Sequence, residues 1–270
     1  KEKSMPFCDF HIHSRLSLDG ESLLIDQVRA SCEQGVRWMC FTEHIDLNTE
    51  EGDFLVDFPE YIRQIEAARA AFPDMKIGIG LELGDTTEDR PNVIRYADAI
   101  PLDFKLLSRH KVGGIDPYYG DKFFAYRTRA QAAHDYVDAV YRTATQFPDY
   151  DALAHIGYVF KFVQSDGFPP LRYEDEPDKL DAILRFLIEH GKALEMNTSR
   201  WNRFGDGMPG RDLFARYREL GGEMVTLGSD SHVIDTVAQG FGPACEQLRA
   251  LGFRYLTAFE QRKPVMLPLK

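Results

Sequence analysis

Cysteine is scarce in this chain and never closely paired: Cys8, Cys32, Cys40 and Cys245 form no C-x-x-C motif. Each sits in an apolar strand or helix pattern, so they read as reduced packing residues and a thiolate metal site is disfavoured. Basic residues are the minority, 32 against 43 acidic ones, for a net charge of −11. That balance argues against nucleic acid as a partner, because such affinity comes from cations neutralising phosphates. No apolar run approaches the length that crosses a bilayer, so no membrane partner is expected, and residues 1–6 lack the apolar stretch of a signal peptide. The expected location is the cytoplasm. Internal repeats, low-complexity tracts and linkers are also missing, so residues 1–270 are expected to form one domain. Residues 165–177 read as an acidic, proline-containing loop over the site face. Oligomeric state has no signature here.

What the chain does have is alternation. Hydrophobic residues make up 44% of it, ordinary for a globular core. Short apolar or β-branched runs at 7–13, 38–44, 76–83, 104–112, 152–158, 193–199, 224–229 and 253–259 are separated by stretches of helical period. Leu180, Ile183, Leu184, Leu187 and Ile188 line one helix face before His190-Gly191; Ile62, Ile65, Ala68 and Phe72 line another before Pro73. Leu213, Phe214, Tyr217 and Leu220 do so before Gly221-Gly222. Strand and helix alternating seven or eight times predicts a parallel (β/α) barrel, with a doubly wound open sheet as the alternative.

Histidines decide between the two. Most of the eight fall at predicted strand ends beside carboxylates: Asp9-Phe10-His11-Ile12-His13, Glu43-His44, Arg109-His110, His155 and Asp230-Ser231-His232. Side chains alternate along a strand, so His11 and His13 share a face and can reach one ion. Only a closed ring gathers so many non-adjacent strand ends around one point. Imidazole with carboxylate suits zinc, iron(II) or manganese. Glu82 is the one charge inside the glycine-rich strand Gly78-Ile79-Gly80-Leu81-Glu82-Leu83-Gly84. A carboxylate there must be paired or coordinated, and its two oxygens can bridge ions about 3.5–4 Å apart.

Other residues carry weaker signals. Asp19-Gly20 follows the first strand as a ligand-bearing loop or a plain turn; Lys161 lies close after His155 on the same rim. Arg200 and Arg203 follow the one barrel strand that supplies no metal ligand, and guanidinium there suits a phosphate. His134, His190 and Cys245 lie in helical patterns and are given no role.

The ordered set Asp-x-His-x-His, Phe41-Thr42-Glu43-His44, Gly80-Leu81-Glu82, Ser108-x-His110, His155 and Gly228-Ser229-Asp230-Ser231-His232 resembles the PHP (polymerase and histidinol phosphatase) family. Gly113-Gly114-Ile115-Asp116-Pro117-Tyr118-Tyr119, Glu195-Met196-Asn197-Thr198-Ser199 and Gln261-Arg262-Lys263-Pro264 are similar to segments of its histidinol-phosphate phosphatase subgroup. The resemblance implies a distorted (β/α)7 barrel, a single PHP metallohydrolase domain over 1–270, and three divalent ions. His11, His13, Glu82 and Asp230 would hold the first ion, Glu82, His110 and His155 the second, and Asp19, His44 and His232 the third. It also implies phosphate-binding roles for Lys161 and for Arg200 or Arg203.

The expected activity is therefore hydrolysis of a small phosphomonoester, L-histidinol phosphate, by a metal-activated water, with Asp230 as proton acceptor. Asp116 or Glu174 are candidates for the substrate's cationic end. The alternatives are a PHP phosphoesterase acting on a nucleotide or other phosphate ester, an amidohydrolase-type deaminase, and a metal-bound structural module. Against the second, the lone carboxylate Glu82 sits on the third strand and Asp230 is followed by Ser-His.

Overall fold

The computed structural model describes residues 7–163 and 168–269; residues 1–6 and the 165–167 part of the expected loop lie outside the described residues. The strands are β1 (Phe7–Asp9), β2 (Val36–Thr49), β3 (Gly52–Phe54), β4 (Lys76–Gly84), β5 (Phe104–Ser108), β6 (Ala152–Leu153), β7 (Ala193–Asn197), β8 (Val225–Gly228), β9 (Tyr255–Glu260) and β10 (Lys263–Pro268). All but β3, β9 and β10 run parallel in the order β1-β2-β4-β5-β6-β7-β8. The first and last of these then meet: Phe10 N donates to Leu227 O at 2.8 Å, Asp230 N to His11 O at 2.7 Å and His13 N to Ser231 O at 2.9 Å. These bonds make a closed ring, a distorted (β/α)7 barrel, and exclude the open sheet.

The run expected as a strand at 253–259 is not part of that ring. β9 pairs antiparallel with β10, and their hairpin packs at the end of the barrel where the strands begin. Phe259 stacks 5.0 Å from Phe104, and Arg262 N donates to Asp103 O at 3.0 Å. A ring already closed by β1 and β8 has no free edge for another parallel strand. β2 differs in the other direction. Its pairing with β4 ends at Ile45 and Leu83, after which it leaves the wall and forms a hairpin with β3 above the opposite end.

Helices α1 (Leu24–Glu33), α2 (Phe58–Ala71), α3 (Arg90–Ala97), α4 (Gly120–Phe123), α5 (Arg129–Gln146), α6 (Pro177–Glu189), α7 (Trp201–Phe204), α8 (Arg211–Glu219) and α9 (Phe241–Ala250) fill the connections. α6 buries Leu180, Ile183, Leu184 and Leu187 and stops where Gly191 turns left-handed at φ 61°. α8 buries Leu213, Phe214 and Tyr217. On α2 the buried face is Tyr61, Ile65 and Ala68, with Tyr61 in the place expected for Ile62. Its hydroxyl lies 3.0 Å from the carbonyls of Phe41 and Gly80, a polar tie that the apolar pattern does not encode. The cysteines are free, with Cys8, Cys40 and Cys245 buried. No helix among the described residues is long and apolar enough to cross a membrane.

Candidate metal centre

A parallel barrel offers its ligands where strands end, and here those ends surround a cavity of about 470 Å³. Asp9 secures the seam. Its carboxylate accepts from Ser229 Oγ at 2.6 Å and Ser229 N at 3.0 Å, tying the end of β1 to the end of β8. His11 and His13 then project from the stretch after β1, and Asp230 and His232 from the stretch after β8. Asp230 adopts φ 52°, a left-handed conformation rare outside glycine, which aims its carboxylate inward. Glu43, beside His44, is an anchor: it accepts from Ser14 Oγ at 2.6 Å and Ser17 Oγ at 2.5 Å, fixing the loop that carries Asp19.

Glu82 is the hub. Oε1 lies 3.0 Å from His110 Nε2 and 2.9 Å from His155 Nε2. Oε2 lies 3.3 Å from His11 Nε2 and 3.5 Å from His13 Nε2, each of which is also 3.7 Å from Asp230 Oδ1. A third group adjoins these: Asp19 Oδ2 is 3.6 Å from His44 Nε2 and 3.1 Å from His232 Nε2. The sets His11/His13/Glu82, Glu82/His110/His155 and His13/His44/His232 each bring their ligand atoms within 4.8 Å of one another. All nine residues expected as metal ligands thus meet in one place.

The imidazoles are also held for ligation. A carboxylate or carbonyl can only accept, so a ring nitrogen bonded to one carries the proton and leaves the other with a lone pair. His11 Nδ1 is 2.5 Å from Glu195 Oε1, His110 Nδ1 3.1 Å from Asp46, and His232 Nδ1 3.1 Å from the Asp230 carbonyl. His44 Nδ1 is 3.1 Å from Glu82 Oε2 and 3.2 Å from Asp46 Oδ2, but only the Asp46 contact has hydrogen-bond geometry. Nε2 of His11, His13, His44 and His232, together with Glu82 Oε2, is buried with no hydrogen-bond partner among the described residues. Buried polar atoms are normally satisfied. Converging orphan nitrogens and a carboxylate oxygen fit a divalent cation.

The carboxylates and two of the imidazoles already favour their ligating forms, whereas His11, His44 and His110 are raised against burial by Glu195, Asp19 and Asp46 beside them, so a cation there would displace their protons. Burial disfavours a charged Glu82, yet His11, His110 and His44 around it hold its carboxyl well below the ordinary range. Asp230 is likewise held low against burial, by Lys161 first and then His11 and His232. His13 is kept neutral by burial and by the neighbouring His232 and His44, and His155 is lowered chiefly by burial. Ionised carboxylates and neutral imidazoles are the ligating forms.

Asp46 and Glu195 are site residues that sequence reasoning missed. Each had a signal: Asp46 repeats the i, i+2 spacing from His44, and Glu195 is a lone acid in the apolar strand β7, the same logic that singled out Glu82. Among the described residues none of the convergent ligand groups draws on β7, but Glu195 also accepts from His155 N at 2.6 Å, and Asn197 Nδ2 donates to Asp230 Oδ2 at 3.1 Å.

The basic candidates separate. Lys161, just after the short turn Tyr158–Phe160, is buried and hydrogen-bonds Asp230 Oδ2. Arg200 lines the same cavity with its Nε buried and unpartnered among the described residues, its guanidinium 5.0 Å from the Phe162 ring. Arg203 donates to the carbonyl of Val163 and is not part of the cavity lining, because the short helix α7 turns it away from Arg200. Of the two acids considered for a cationic substrate, Asp116 lines the cavity and accepts from Tyr158 Oη at 3.1 Å. Glu174 is exposed in a separate turn outside that lining. His134 pairs with Glu176 at 2.8 Å and His190 stacks on Phe186, both away from the site.

A closed parallel barrel with histidines and carboxylates gathered on its C-terminal rim defines a metal-dependent hydrolase of the barrel type. The chain belongs to the PHP family, whose PHP domain pattern matches residues 9–199. The histidinol-phosphatase of Lactococcus lactis subsp. lactis (strain IL1403) is 31% identical over 256 residues, covering 94% of this chain and 95% of that protein. The crystal structure of a histidinol phosphate phosphatase from the same organism, complexed with zinc, L-histidinol and phosphate, superposes with a TM-score of 0.86 at 30% identity, covering 97% of this chain and 100% of the other. Metal-dependent tyrosine phosphatases from Bacillus subtilis and Streptococcus pneumoniae share the fold alone, with a TM-score of 0.50 and 15% identity over 90% of this chain and 87% of theirs.

Proposed function

We propose that this chain hydrolyses L-histidinol phosphate to L-histidinol and phosphate, using divalent ions held by the nine convergent residues. The observation that carries the reading is Glu82, whose two oxygens face separate histidine sets while Lys161 and Arg200 stand at the same cavity. Likeness to a solved phosphatase holding histidinol and phosphate supports the choice of substrate.

In the proposed arrangement His11, His13, Glu82 and Asp230 hold one ion, Glu82, His110 and His155 a second, and Asp19, His44 and His232 a third. Zinc, iron(II) and manganese all suit these donors. When bound, such ions supply a water of near-neutral pKa and positive charge for the phosphate oxygens. Lys161 and Arg200 add fixed cationic donors for those oxygens as charge redistributes during in-line displacement. Asp230 would have two tasks: Oδ1, 3.7 Å from both His11 Nε2 and His13 Nε2, would help hold the first ion, and the carboxylate, steadied at Oδ2 by Lys161 and Asn197, would accept the attacking water's proton. Asp116, with Glu50 and Glu51 on the same cavity, receives the cationic end of the substrate.

The test is a panel of histidinol phosphate, p-nitrophenyl phosphate, glycerol phosphate, mononucleotides and amides, run on metal-analysed protein. Histidinol phosphate is expected to lead the phosphoesters by at least about 10²-fold in kcat/KM, the discrimination open to a site with buried partners for a polar group. A nucleotide in first place, or a flat profile, removes the substrate assignment and leaves metal-dependent phosphoester hydrolysis.

A further inference from the structure

Two of the imidazoles assigned to different ions share one orienting group. Asp46 is buried at 6% exposure, and it lies where β2 has left the barrel wall. Oδ1 and Oδ2 are both 3.1 Å from His110 Nδ1, and Oδ2 is 3.2 Å from His44 Nδ1. With both Nδ1 atoms bonded to one carboxylate, His110 presents Nε2 to Glu82 at 3.0 Å and His44 presents Nε2 to Asp19 at 3.6 Å. Asp46 is thus the only side chain touching histidines of both the second and the third ion groups from behind, among the described residues.

The barrel makes room for it. A Cβ added to Gly84, the last residue of β4, would lie 1.8 Å from Asp46 Oδ1 and 2.4 Å from its carboxyl carbon. Gly228 of β8 does the same for the other orienting acid, since a Cβ there would lie 2.5 Å from Glu195 Oε1. Each orienting carboxylate therefore sits in space that a strand glycine leaves free. Lys111, next to His110, donates to the carbonyl of Leu47 at 2.6 Å and to Asp89 at 3.1 Å, so the residue after His110 is tied to the residue after Asp46.

We propose that Asp46 is a positioning residue that couples the second and third ion sites, and that Gly84 is glycine in order to seat it. The proposal rests on the metal-centre reading above. Its physical content is that an acceptor shared by two Nδ1–H groups fixes both ring tautomers at once, and outer-sphere partners of this kind typically govern metal affinity by about 10–100-fold. An asparagine loses the charge, and its NH2 group takes the place of Oδ1 or Oδ2, each 3.1 Å from His110 Nδ1, so at least one Nδ1–H meets a donor instead of an acceptor.

The test is zinc titration of chelator-stripped wild type, Asp46→Asn and Gly84→Ala, with circular dichroism to establish that each is folded. Imidazole nitrogen NMR of the zinc-loaded proteins accompanies it. Asp46→Asn is expected to weaken two zinc equivalents together by about 10–100-fold, leave the first tight, and shift two Nδ1–H signals. Gly84→Ala keeps every polar group and displaces Asp46 by contact alone, so it should weaken the same two equivalents to a smaller extent. Wild-type zinc affinity in a folded Asp46→Asn, or weakening of a single equivalent, overturns the coupling while the metal centre stands. Failure of wild type to bind zinc overturns both.

Discussion

Lys161 reaches across the cavity to hydrogen-bond Oδ2 of Asp230, so a candidate phosphate-binding cation is held in place by a candidate metal ligand. Burial makes that contact necessary, because neither group has water to solvate it and an unpaired charge there would be costly. The lysine is pre-positioned toward the reacting centre at no cost during the reaction.

Replacement of a true phosphate clamp should leave metal content unchanged. Lys161→Ala and Arg200→Ala are each expected to lower kcat/KM by about 10²–10³-fold, the scale for one lost charge-stabilising donor. Arg203→Ala should stay within a few-fold of wild type, since its guanidinium bonds the Val163 carbonyl outside the cavity lining. Steady-state kinetics beside metal analysis decides. A large loss in Arg203→Ala with Arg200→Ala unaffected would reverse the assignment.

Glu82 and Asp19 differ in what they touch, and that sets the size of their effects. Glu82 contacts histidines of every proposed ion group; Asp19, exposed on its loop, contacts only His44 and His232 among the described histidines. Glu82→Gln is expected to lower metal stoichiometry by more than one ion per chain and to cost more activity than Asp19→Asn. Equal losses in both, measured by elemental analysis and phosphate release, count against the bridge.

Much of this site was legible because its signals are local. His11 and His13 announce themselves by spacing, Glu82 by being a lone acid among glycines and aliphatics, and the ring closure by ligands on both the first and last barrel strands. Asp46 and Glu195 were less visible. Their partners are a histidine already counted and one 184 residues away, and no local pattern says which imidazole a buried acid will face. The β9–β10 hairpin shows the same limit. Its apolar alternation specifies a strand, but where that strand pairs depends on whether the ring is already closed.

That hairpin has its own electrostatic lock, which predicts a pH dependence. Arg262 donates to Asp149 at 2.9 Å and also bonds Asp151, joining the hairpin turn to the start of β6. The hydrogen bond from Arg262 holds the Asp149 carboxyl well below its usual range, so its contribution is present above about pH 4 and is lost as pH falls further. Asp151 is pushed up by burial, and Arg262 opposes that rise. Removing Arg262 therefore leaves Asp149 to Lys105 Nζ at 2.7 Å and Asp151 to the Lys105 backbone N–H at 2.8 Å, two carboxylates short of a cation at neutral pH and two harmless neutral acids at low pH. Arg262→Ala is expected to lower the Tm of metal-free protein at pH 7 by several degrees, at about 2–4 °C per kcal/mol lost in a chain of this size. The gap should narrow progressively as pH falls below about 4. A gap that is constant with pH, followed by circular dichroism melts, would show that the arginine acts through packing alone.

The last prediction separates the substrate's phosphate from its cationic end. Asp116 lines the cavity, accepts from Tyr158 Oη at 3.1 Å, and has its carboxyl pushed up by burial, the state of an acid short of positive partners. A substrate ammonium would relieve that burial cost, whereas an aryl phosphate brings no charge to offer. Asp116→Asn keeps the size and one acceptor oxygen and removes the charge. It should lower kcat/KM for histidinol phosphate by about 10–10²-fold, the range for losing a charged hydrogen-bond partner. Turnover of p-nitrophenyl phosphate should change by no more than about 2–3-fold, since its phosphate still meets the ions, Lys161 and Arg200. Parallel losses on both substrates would place Asp116 in support of the metal centre through Tyr158, whose ring lies 4.9 Å from that of His110. Unchanged kinetics on both would move recognition of the cationic end to Glu50 and Glu51 on the hairpin side of the cavity.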